Sequence, residues 1–223
     1  MALPSTRLNP EPGQAVYSTL SLRFYDIYVL GLSNRYFWRC PTDQIQQKYN
    51  AFVTPRHLEI GVGTGYYLDK LSVHSPFESL CLLDLNENSL DATAKRVQRF
   101  NPVKVKANAL EPFPLEARSF DSVGINYLIH CLPGKPEEKG VVFDHIKEVL
   151  TDDGVCFGST IVQADQASMA ASVVMAIYNH KGIFGNHYDT PEAVSAELHR
   201  CFDQVNTELV GTVLLFSARK PRR

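Results

Sequence analysis

From about residue 56 the hydrophobic pattern of the chain switches repeatedly between two periods. Short apolar runs at 57–60, 80–84, 103–107, 120–125 and 155–161 have the length and β-branched or leucine-rich character of buried strands. Between them, 66–71, 89–99 and 136–150 space their apolar residues as helices do. Strand and helix in alternation predict a parallel sheet covered by helices. Residues 111–119, with Pro112 and Pro114, predict a loop, and Asp152-Asp153-Gly154 predicts a turn. A helix rich in small residues is expected over 163–178, a glycine-containing loop over 182–189, and a helix over 192–199 behind Thr190-Pro191. Two β-rich stretches, 202–209 and 212–218, flank Gly211 and predict an antiparallel pair closing the sheet.

Ahead of the first strand the pattern differs. Residues 1–13 are polar and proline-containing and read as an arm. Residues 14–52 are helix-like and aromatic, with Tyr17, Tyr25, Trp38 and Tyr49 among them. Pro41 interrupts this stretch, and Thr42 is placed to cap a helix over 43–50. The segment reads as a helical cap upon the sheet.

The junction after the first strand carries the chemistry. It runs His57-Leu58-Glu59-Ile60-Gly61-Val62-Gly63-Thr64-Gly65-Tyr66, with glycines at alternate positions between strand and helix. Such glycines let backbone approach a ligand, and the following helix turns its positive end toward it. A dinucleotide fingerprint needs glycine at position 66, which is tyrosine, and no Gly-Lys-Ser/Thr of a P-loop follows. The second strand ends in Asp84, nineteen residues after Gly65.

The stretch from Leu58 to Gly65 resembles motif I of class I S-adenosylmethionine-dependent methyltransferases, and Asp84 matches the acid ending their second strand. Asn108-Ala109, Phe120-Asp121-Ser122-Val123, the segment from Asn126 to Leu132 and the turn before 155 resemble later landmarks of that family in the same order. The likeness extends over about 56–161, and its wider features resemble type 11/12 members often placed in secondary metabolism. It implies an α/β fold, with a Rossmann-like seven-stranded, mostly parallel sheet, an antiparallel C-terminal strand and the N-terminal helical cap. It implies S-adenosyl-L-methionine as cofactor. Gly61, Gly63 and Gly65 would let the backbone meet it, Glu59 would orient its amino end, and Asp84 would take the ribose hydroxyls. Leu85, Asn108 and Ala109 would lie along the adenine, and the carbonyl of Asn126 would receive the ammonium group. Asn108 departs from the usual Asp.

The 223 residues, 44% apolar, suffice for one domain: cap 1–55, cofactor-binding core 56–161, substrate-side insert 162–200, strand pair and tail 201–223. A net charge of −2 and no basic face argue against a nucleic-acid partner, and the basic run Arg219-Lys220-Pro221-Arg222-Arg223 reads as a solvated tail. Five widely spaced cysteines show no metal-ligand cadence and suit a reducing compartment. With no signal-like start and no apolar run near the ~20 residues that span a bilayer, a cytoplasmic protein is expected, its oligomeric state open.

A methyltransferase that aligns its reactants gains much of its rate from geometry. An acidic acceptor needs no strong base, whereas a neutral alcohol does. His130, after the fourth strand, is the best-placed candidate base. Tyr17, Tyr25 and Trp38 of the cap and His187 of the 182–189 loop are the expected substrate contacts. The expected reaction is methyl transfer to a small-molecule oxygen, less readily nitrogen or carbon. The competing readings are a non-methylating, cyclising or pericyclic enzyme on the same fold, and a regulator without activity.

Overall fold

The computed structural model describes residues 37–72 and 77–223. Most of the expected cap, Tyr17 and Tyr25 included, lies outside the described residues.

A seven-stranded sheet in the order β3-β2-β1-β4-β5-β7-β6 organises the molecule. Its strands are β1 (Arg56–Ile60), β2 (Ser79–Asp84), β3 (Val103–Lys106), β4 (Phe120–Asn126), β5 (Leu150–Ile161), β6 (Phe202–Val210) and β7 (Val213–Pro221). The first five pair in parallel, while β7 lies antiparallel between β5 and β6. The helices are α1 (Thr42–Phe52), α2 (Tyr66–Asp69), α3 (Glu87–Arg96), α4 (Pro136–Lys139), α5 (Val141–Val149), α6 (Met169–His180) and α7 (Pro191–Cys201).

Period-two alternation assigns the faces. Leu58 and Ile60 of β1, Val123 and Ile125 of β4, and Phe143 and Ile146 of α5 share one core cluster. Leu80 and Leu82 of β2, Phe157 of β5, and Ile45 and Tyr49 of α1 share the other. Chain order reverses direction across the sheet between β1 and β4, and open α/β sheets place their ligand crevice at such a switch point, beyond the strands' carboxyl ends.

Several predicted boundaries move, each for a local reason. The helix expected over 136–150 divides at Gly140, whose carbonyl accepts from Arg200 Nη2 at 3.1 Å and where a Cβ would collide with Glu197. The helix expected from 163 begins at Met169, because Ser168 caps it by accepting from the Ala171 N–H at 3.1 Å. The helix expected at 43 begins at Thr42, with Pro41 rather than Thr42 in the capping position. The Asp152-Asp153-Gly154 turn forms an excursion within β5, since Leu150 pairs with Phe120 and Val155 with Ser122.

The basic side chains of the tail are exposed, as expected of a solvated end, but its backbone is paired and ordered. Residues 219–221 belong to β7, the Arg222 N–H donates to the Cys201 carbonyl at 2.8 Å, and Arg223 donates to the Leu150 carbonyl at 2.7 Å and to Asp152 at 3.1 Å. Among the described residues no helix is long and apolar enough to cross a membrane.

Candidate functional site

The glycine run turns the chain away from β1 with positive φ at Gly61 (71°), Gly63 (53°) and Gly65 (70°). Gly61 is doubly constrained, since a Cβ there would also sit 3.0 Å from the Leu128 side chain. A Cβ on Gly63 would meet nothing within 4 Å, because that position faces open space. The loop is braced from behind, where Thr93 of α3 donates to the Gly63 carbonyl at 3.1 Å.

Asp84 reaches across from the end of β2. Its Oδ2 accepts from the Val62 N–H at 2.9 Å and its Oδ1 from the Asn86 N–H at 2.8 Å. Burial nevertheless pushes its pKa up to about 6, outweighing those donors. The backbone N–H groups of Leu85 and Gly63 also act to lower it.

Glu59 is almost completely buried and projects from β1 beneath the loop. Its Oε1 accepts from the Tyr49 hydroxyl, and its Oε2 lies 3.0 Å from His57 Nε2. Asn126, at the end of β4, donates from Nδ2 to the Tyr49 oxygen at 3.1 Å and accepts from Ser159 at 2.9 Å.

These groups border one open cleft at the carboxyl ends of the strands. Glu59, Gly61, Gly63, Gly65, Asp84, Leu85, Asn108, Ala109 and Asn126 all contribute to its wall. Asn108 also serves its own loop, its Oδ1 accepting from the Leu110 N–H at 3.0 Å. Tyr49, Tyr127, Leu128 and Cys131 line the cleft as well and were not singled out from the sequence as site residues. Tyr49 was legible only as one aromatic of a helical segment. Tyr127 takes φ +53°, an unusual conformation for a bulky residue, and so turns the chain under the cleft.

Three of the expected contacts, His130, Trp38 and His187, do not line this cleft, while Tyr17 and Tyr25 lie outside the described residues. His130 is 3% exposed and packs edge-on against Phe184, ring centroids 4.5 Å apart. Its Nδ1 faces the Ile161 N–H at 3.4 Å, and burial, aided by the Lys139 ammonium, pushes its pKa down to about 3. It is not among the residues lining the cleft. Trp38 is buried against Phe184 away from the cleft, its carbonyl accepting from the Thr212 N–H at 2.9 Å. His187 is exposed on its loop beside Tyr188 and does not reach the cleft wall. Cys131 does reach it, but burial pushes its thiol up to about 12, which removes it as a nucleophile at neutral pH.

Under the lining turn lies a buried ion pair. Lys139, 1% exposed, meets Asp189 at 2.6 Å and donates to the carbonyls of Ile129 (3.3 Å), Leu132 (3.4 Å) and Gly185 (2.9 Å). It ties the turn after β4 to the glycine-containing loop.

Comparison with known proteins agrees with this geometry. Residues 58–156 match the family model of a methyltransferase domain. The chain is 36% identical to methyltransferase aurB of Calcarisporium arbuscula, over 96% of this chain and all of that one. It is 37% identical to demethylluteothin O-methyltransferase of Streptomyces thioluteus, over 92% of this chain and 90% of that one. Its fold resembles that of N-methyltransferase NodS from Bradyrhizobium japonicum WM9 in complex with S-adenosyl-l-homocysteine, at TM-score 0.63 and 14% identity over 92% of this chain and 98% of that one. Sequence, sheet order and cleft thus agree that the chain belongs to the class I S-adenosylmethionine-dependent methyltransferases, with S-adenosylmethionine as its cofactor.

Proposed function

We propose that the cleft seats S-adenosylmethionine along the carboxyl ends of β1, β2 and β4, and that the methyl acceptor is a small molecule with an acidic oxygen. The fit rests on the open space before Gly63, the Asp84 carboxyl in the cleft wall at the end of β2, and a buried acid, Glu59, at the opposite end of the loop. Asp84 takes the ribose hydroxyls, Leu85, Asn108 and Ala109 flank the adenine, and Glu59 and Asn126 face the amino-acid end. When bound, the cofactor supplies a methyl group already activated by its sulfonium.

The observation that carries the acceptor reading is the composition of the wall. Among the described residues lining the cleft there is no histidine, lysine or arginine. Tyr49 is held well above its ordinary phenol value by burial and by Glu59, and Cys131 is held protonated. A phenol, enol or acid brings its own acidity and needs only alignment. The demethylluteothin O-methyltransferase likeness supports oxygen as the receiving atom, and secondary metabolism is the proposed setting. Tyr17 and Tyr25 stay as proposed acceptor contacts from the N-terminal segment. His130 has no part in this proposal, nor do Trp38 and His187.

The test is incubation of the protein with methyl-deuterated S-adenosylmethionine and a panel of phenols, enolic pyrones, aliphatic alcohols and amines, read by mass spectrometry. Label should appear on phenolic or enolic oxygens. Transfer to amines alone, or product formed without consumption of the methyl donor, would sink the reading.

A further inference from the structure

Central strands of a parallel sheet are covered on both faces and ordinarily read as continuous apolar runs. One face of β1, β4 and β5 departs from this, carrying His57, Glu59, Ser122, Asn126 and Ser159, none more than 8% exposed. Register sets them side by side: His57 opposite Ser122, Glu59 opposite Gly124, and Asn126 opposite Ser159. The Ser122 hydroxyl meets His57 Nδ1 at 2.8 Å and His57 Nε2 meets Glu59, while Ser159 donates to Asn126. The two halves of this polar line are joined by a residue from outside the sheet, Tyr49 of α1, which bonds Glu59 on one side and Asn126 on the other.

Donor directions follow from the chemistry. Burial and the neighbouring carboxylate keep the Tyr49 phenol protonated, and its single proton goes to Glu59. Its lone pairs are left for the Asn126 Nδ2, which turns Oδ1 of that amide toward Ser159. The ring is clamped, stacked on Tyr67 at 5.0 Å between centroids and edge-on to Phe157 at 5.2 Å. Space for the carboxylate comes from Gly124, where a Cβ would collide with Glu59 Oε2 and sit 3.4 Å from His57 Cε1. A buried acid with one donor on each oxygen stays in place and retains lone pairs for a cation.

We infer that Tyr49 is a positioning residue for the amino-acid end of the cofactor. By locking the Glu59 carboxylate and the Asn126 amide into one arrangement at the cleft floor, it presets the place of the cofactor's ammonium group. The inference rests on the cofactor placement proposed above.

The experiment compares two ligands by calorimetry on the full chain: S-adenosylhomocysteine, and 5′-methylthioadenosine, which keeps adenine, ribose and sulfur but lacks the amino-acid end. Tyr49→Phe is expected to weaken S-adenosylhomocysteine by about tenfold or more, the scale of a hydrogen bond to a charged group. It should leave 5′-methylthioadenosine within about twofold, since that ligand does not reach Glu59. In a Glu59→Gln background the Tyr49→Phe loss for S-adenosylhomocysteine should shrink to under about threefold. Gly124→Ala, which displaces the carboxylate from its bond to an intact Tyr49 phenol, should produce the same ligand-selective loss and keeps the question open to test if Tyr49→Phe fails to fold. Equal losses for both ligands, a loss for neither, or full additivity with Glu59→Gln would overturn the inference alone. A wild-type protein that binds neither ligand overturns the cofactor placement and this inference with it.

Discussion

At the scale of the residue, the ribose role proposed for Asp84 would couple ligand binding to pH through one carboxyl. Its two oxygens already hold the loop through Val62 and Asn86, yet burial lifts its pKa to about 6. Only the carboxylate can accept from two ribose hydroxyls at once, so binding favours the ionised form. Affinity for S-adenosylhomocysteine should be level above about pH 7 and fall, approaching tenfold per pH unit, well below 6. Stability of the ligand-free protein responds in the opposite sense. The folded state holds this proton more tightly than the unfolded chain, so the contribution is full below the unfolded value of ~3.9 and is lost as pH rises through about 6. Titration calorimetry across pH 5–8 checks the first statement, and Asp84→Asn should flatten the profile while lowering affinity throughout. A wild-type affinity that does not change between pH 5 and 7 would show that Asp84 does not carry the ribose. Asp84 was legible from a strand end at the right spacing. His130 drew attention because it follows a strand as Asp84 closes one, and only the packing of Phe184 and Ile161 against the imidazole shows that it is buried in the core.

At the scale of the element, the cleft depends on segments held from outside it. The short turn Ile129–Cys131 and the loop through Gly185 both hang on Lys139, whose charge is balanced by the fully buried Asp189. Lys139→Met would leave Asp189 buried without its cation, costing about 3–5 kcal/mol in denaturant unfolding. The double substitution Lys139→Met/Asp189→Leu should recover most of that loss, because it removes the orphaned charge rather than the contact. No recovery would mean that the carbonyl contacts of Lys139, and not the ion pair, hold these loops. Strand and helix identities along 56–161 were readable from period alone, and so was the antiparallel pair at the end. Boundaries were not: the break at Gly140 follows from Arg200 and Glu197 of α7, about 60 residues away in sequence but in contact in space.

At the scale of the whole molecule, β7 slots antiparallel between β5 and β6 and brings the basic end of the chain beside the start of β5. Arg223 there bonds the Leu150 carbonyl at the end of α5 and the Asp152 carboxylate in the β5 excursion. The pair is partly exposed, so Arg223→Ala should cost about 1 kcal/mol, a fall of roughly 2–4 °C in Tm, with cofactor affinity unchanged. A change in affinity would instead mean that this end of the sheet communicates with the cleft.

What the sequence determined by itself was local. A glycine run between strand and helix, an acid at the next strand end and alternating periods each depend on neighbours a few residues away, and together they identify the fold and the cofactor. What tertiary structure decided was everything that depends on register and burial. Glu59 was readable as an acid under the loop, but its partners come from α1, from two residues earlier on the same face of β1 and, through Asn126, from β4 and β5. Those elements are brought together only when the strands pair, because a hydrogen bond between residues 10 or 77 positions apart leaves no periodic trace in the chain. The same rule explains why Tyr49 passed for one aromatic among many until the fold set its hydroxyl between an acid and an amide.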